Sequence, residues 1–82
     1  MKGFLTEKQR TELEKEQRLE HKKRYADRIR CILLLDSGKT YESIAEHLFL
    51  HENTIRNYFK TYDRGGFLEL IEDQYTHGQR EL

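Results

Sequence analysis

The chain has 82 residues and a mass near 10 kDa, which allows one small domain. Fifteen basic and fifteen acidic side chains cancel, so overall charge gives little long-range attraction for a polyanion. No apolar run approaches the roughly 20 residues of a membrane helix, and Met1 to Leu5 is too short for a signal peptide. One cysteine cannot form an internal disulfide, so the reducing cytoplasm is the expected location. A glycine-rich phosphate loop, a nucleophile elbow and a zinc-protease His pair are all missing. No catalysis, cofactor or small-molecule substrate is therefore expected of a chain this short.

Thr6 followed by Gln9 is a capping-box pattern and predicts a helix start. No glycine or proline intervenes before Asp36, and good helix formers dominate, so one long helix is expected. Up to Arg24 its only aliphatic side chains are Leu13 and Leu19, too few for a continuous buried stripe. Residues 1–24 therefore read as a charged helical extension, with Glu14–Arg18 spaced as an i,i+4 pair. The basic stretch Arg18 to Arg30 reads first as a solvated face and second as an arm along phosphates. Leu5, Leu19, Ala26 and Leu33 share a seven-residue register, but Glu12 breaks it, which argues against a self-sufficient coiled coil. Packing on a partner chain, or a homodimer that pairs or exchanges this helix, stays open.

From Tyr25 the apolar positions Ala26, Ile29, Ile32 and Leu33 recur at helical spacing, and Gly38 supplies the stop. Thr40 caps the next segment, Tyr41 to Leu48, with Glu42 in its first turn. Phe49-Leu50-His51 is long enough only for a tight turn, and another helix starts near Glu52. Gly65-Gly66 stops that helix, and Phe67, Leu70 and Ile71 predict one more short helical turn. The domain expected over 25–72 is followed by a flexible tail or linker over 73–82.

Two short helices joined by a three-residue turn, with small Ala45 at their close approach, have the spacing of a helix-turn-helix. At about 100° per residue with Ile55 inward, Phe59 and Tyr62 fall within about 40° of it, and Tyr58 within about 60°. Asn53, Asn57 and Arg64 then face outward, with Arg56 and Lys60 beside them and Thr54 and Thr61 on the other flank. Amides and guanidinium groups pair bidentately with adenine and guanine edges, so Asn53, Arg56 and Asn57 are the candidate base readers. Lys39, Thr40, Tyr41, Thr54, Lys60 and Thr61 are the candidate phosphate contacts. Tyr25, Tyr58, Tyr62 and Tyr75 read as the rim of the core. His47, His51 and Cys31 lack the one-face geometry and the fourth ligand of a zinc site, and Cys31 reads as a buried small hydrophobe.

The runs RIRCILLLDSGKTYESIAEHL (28–48), HENTIRNYFKTY (51–62) and DRGGFLELI (63–71) resemble the N-terminal helix-turn-helix of IS630/Tc1-mariner-type transposases. The resemblance covers about Tyr25 to Asp73. It implies an all-α, trihelical, homeodomain-like fold that binds transposon terminal repeats on double-stranded DNA, with Glu52 to Tyr62 as the recognition helix. Two residues depart from the family. Phe49 stands where the turn has a glycine, so the backbone there is strained or the turn differs, and His51 replaces a serine cap. The family's catalytic domain with its carboxylate triad has no counterpart here, so DNA binding carries over and strand transfer does not. A stand-alone transcriptional regulator and a piece of a transposase both fit. The rival class is a helical adaptor or inhibitor that uses the same fold without DNA, favoured by zero net charge and the charged first helix.

Overall fold

The computed structural model describes the backbone of residues 2–80 and the side chains of residues 2–71. The described residues form four helices: α1 (Glu7–Leu19), α2 (Lys23–Asp36), α3 (Tyr41–Leu48) and α4 (Glu52–Arg80). The expected tail over 73–82, Tyr75 included, lies outside the residues whose side chains are described.

The capping box at the start of α1 is formed. Thr6 Oγ1 accepts from the Gln9 backbone N–H at 3.1 Å, and Gln9 Oε1 accepts from the Thr6 N–H at 2.9 Å. The helix expected to continue to Asp36 is instead two. Glu20 and Lys22 are extended, and the Glu20 carboxylate accepts the Lys22 N–H at 3.1 Å, which turns the chain. Helix propensity gives no sign of this break. The driving force is burial: by folding back, α1 inserts Leu13, which has no exposed surface, against Ile29, Ile32 and Leu33 of α2. Burying one leucine is worth about 1.5–3 kcal/mol. Leu19, the other aliphatic residue of α1, stays 60% exposed. Glu14 pairs with Arg10 at 3.3 Å rather than with Arg18.

α2 is the central helix and ends as its glycine predicts. Gly38 takes φ 99°, its N–H donates to Leu35, and the Lys39 N–H donates to Leu34, which satisfies the last carbonyls as a Schellman motif does. Ile29, Ile32, Leu33 and Leu13 form one half of the core with Tyr62 and Leu70. Cys31 and Leu35 form the other half with Ile44, Leu48 and Ile55. Phe4 bridges the two halves and meets Phe59 edge-on at 5.2 Å. Burial, with Asp27 nearby, pushes the Cys31 thiol up to about 12, so it stays protonated and inert.

Thr40 caps α3 by accepting from the Ser43 N–H at 3.0 Å. Phe49 resolves the two alternatives left by the turn. It keeps the left-handed conformation of a glycine (φ 59°, ψ 45°) with its ring 92% exposed. An L-residue pays about 1 kcal/mol there. Phe49→Gly is therefore expected to stabilise the domain by about 1 kcal/mol, read as a higher urea midpoint at unchanged slope. The predicted stop at Gly65-Gly66 takes the form of a kink: Gly66 has φ 79° and ψ −159° inside α4. Beyond it the predicted helical turn packs back, with Leu70 fully buried.

Candidate nucleic-acid interface

The orientation of α4 is set by Ile55, which has no exposed surface and sits among Leu35, Ile44 and Leu48, with Ala45 and Leu50 packed alongside. Leu50 also locks the turn through its N–H, which donates to Ala45 at 3.0 Å. His51 offers its backbone carbonyl to the N–H groups of Thr54 and Ile55, which starts α4 at Glu52. With Ile55 inward, the far side of the helix must face solvent. Asn53, Arg56, Asn57, Lys60 and Arg64 are exposed there, while Thr54 and Thr61 are half-buried at its edge.

Arg56 differs from its neighbours. Its guanidinium lies over the Tyr41 ring, 4.6 Å from the centroid, and stands 3.5 Å from the Glu52 carboxylate. That contact ties α4 to the first turn of α3, and so brings Arg56 towards Lys39, Thr40 and Tyr41. Thr40 Oγ1 is engaged as the helix cap, which leaves its hydroxyl proton to donate. Lys39 is exposed in the loop before α3. Arg64 is paired with Glu69 at 3.0 Å across the Gly66 kink, which neutralises the far end of the face.

The base-reading candidates therefore share one exposed side of α4, and the phosphate candidates divide between the start of α3 (Lys39, Thr40, Tyr41) and the flanks of α4 (Thr54, Lys60, Thr61). The spacing of Glu52 and Arg56 could have revealed their i,i+4 pairing. The Tyr41–Arg56 stack could not be read from spacing, because it depends on how α3 and α4 cross. His47 and His51 are exposed, and among the described residues no three His, Cys, Asp or Glu side chains gather as a metal site. No helix among the described residues is long and apolar enough to cross a membrane.

An α3 packed on the core through Ile44 and Leu48, a locked turn and an outward polar face on α4 define a helix-turn-helix domain. The chain belongs to the homeodomain-like domain family, whose family model matches residues 22–71. Membership of that family suggests DNA binding. Comparison with curated proteins and with solved structures gives no match.

Proposed function

We propose that the domain binds double-stranded DNA sequence-specifically, with the first half of α4 in the major groove. The observation that carries this reading is the exposed amide and cation face opposite buried Ile55. Asn53 and Asn57 suit adenine edges, and Arg56 suits guanine once released from Glu52. Lys39, Thr40, Tyr41, Thr54, Lys60 and Thr61 hold phosphates on either side. The motifs shared with transposase N-terminal domains support a terminal repeat or a promoter as the target. This module would supply recognition, with no chemistry of its own.

Titration against a preferred and a scrambled duplex at graded salt tests the assignment. Asn57→Ala is expected to lose about 1–3 kcal/mol on the preferred duplex only. Lys60→Gln is expected to weaken both duplexes alike and to lower the slope of log K against log salt by about 0.9. Parental behaviour from both variants would remove the face from consideration.

Helix-turn-helix units gain area by acting in pairs. Pairing through α1 would have to use Leu19, because Leu13 is consumed by the domain's own core. The second reading, a protein adaptor, draws on the zero net charge. It predicts a stable complex by light scattering that retains no DNA at low salt.

A further inference from the structure

The corner between α1 and α2 gathers cations that neither the core nor the α4 face uses. Arg18 stands in the last turn of α1, and Lys22, Lys23 and Arg24 follow; all four are exposed. The one carboxylate among them, Glu20, is turned onto the Lys22 backbone N–H. Lys23 is paired with Asp27 at 3.0 Å. Lys22 and Arg24, by contrast, converge on one ring: their charged groups lie 5.7 and 5.4 Å from the Tyr25 centroid. Like charges gathered on one ring repel. α2 has no acidic residue in its first turn to offset them, and cations at that end of a helix oppose its dipole. The ring attracts each cation, but the repulsion between them and the opposed dipole remain, and a polyanion would relieve both.

The corner is also fixed relative to α4. One turn beyond Arg24, Arg28 donates to the Leu70 carbonyl at 2.6 Å and lies over the Tyr58 ring, 4.8 Å from its centroid. Tyr58 is next in sequence to Asn57, so the corner and the recognition face belong to one packed unit.

We propose that Lys22 and Arg24, gathered at the Tyr25 ring, form a second contact with the same duplex and hold phosphates outside the stretch reached by α4. The inference rests on the DNA-binding reading. Duplex DNA fits because it presents one negative charge per roughly 1.7 Å of axis, so a rigid body docked in the groove has further phosphates within reach. Such contacts set register and add affinity without reading bases.

The test uses the full chain carrying Lys22→Gln and Arg24→Gln together, titrated at graded salt against the preferred and the scrambled duplex. Two lost phosphate contacts should lower the salt slope by about 2. Affinity should fall for both duplexes by the same factor, leaving their ratio unchanged, and phosphate-ethylation interference should disappear at one edge of the footprint only. The melting temperature should hold or rise, which separates lost contacts from lost fold. A parental slope and footprint in the double variant, with the parent binding normally, overturns the corner and leaves the α4 reading standing. A parent that binds neither duplex overturns both.

Discussion

Asp36→Ala is expected to destabilise the domain by about 3 kcal/mol, measured by urea denaturation. Asp36 is a buried carboxylate at the end of α2, 7% exposed. Its Oδ1 accepts the Leu5 N–H at 2.8 Å, its Oδ2 accepts from the Arg10 guanidinium, and its backbone carbonyl accepts the Gly3 N–H at 2.8 Å. These contacts fasten the N-terminal segment and α1 across α2, and they seat Phe4 between the two halves of the core. Breaking a buried pair costs about 3–5 kcal/mol. The lower figure applies because Arg10 is partly exposed and keeps Glu14 and water. Asp36→Asn, which retains one acceptor for Leu5, should lose less. Equal stability of the parent and the alanine variant would mean that the segment before α1 contributes nothing.

Leu13→Ala is expected to cost about 2–5 kcal/mol, the range for emptying a fully buried leucine site. A chain of 82 residues has only about 4–12 kcal/mol in total, so this variant should approach the limit of folding. Leu19→Ala, at an exposed position on the same helix, should change stability by less than about 0.5 kcal/mol. The contrast tests whether α1 is part of the core. Two equal and small effects would make it a detachable arm.

Local signals in the sequence carried most of the helix boundaries. The Thr6–Gln9 box, the Thr40 cap and Gly38 each act within a few residues, and each has the geometry its residue type implies. The rotation of α4 was legible for the same reason: Ile55 and Tyr62 recur at the helical period, and packing against α3 fixes the rest. The break at Glu20–Lys22 was illegible because every residue there tolerates a helix and the gain is a distant contact between Leu13 and α2. Asp36 was likewise unreadable, since its partners lie 26 and 31 residues away. Phe49 was readable as an anomaly only: it marked the place, while its left-handed backbone emerged from the fold. At the site, exposure of Asn53, Asn57 and Lys60 followed from the period, whereas the stacking of Arg56 on Tyr41 needed the crossing of two helices.

The most direct test of the outward face of α4 is selection from a random duplex library, run in parallel with the parent and with Asn57→Ala. The parent should enrich one motif, and the variant should lose preference at a defined position within it while the rest of the motif persists. No enrichment by the parent, or identical motifs from both chains, would contradict the assignment of that face to base recognition.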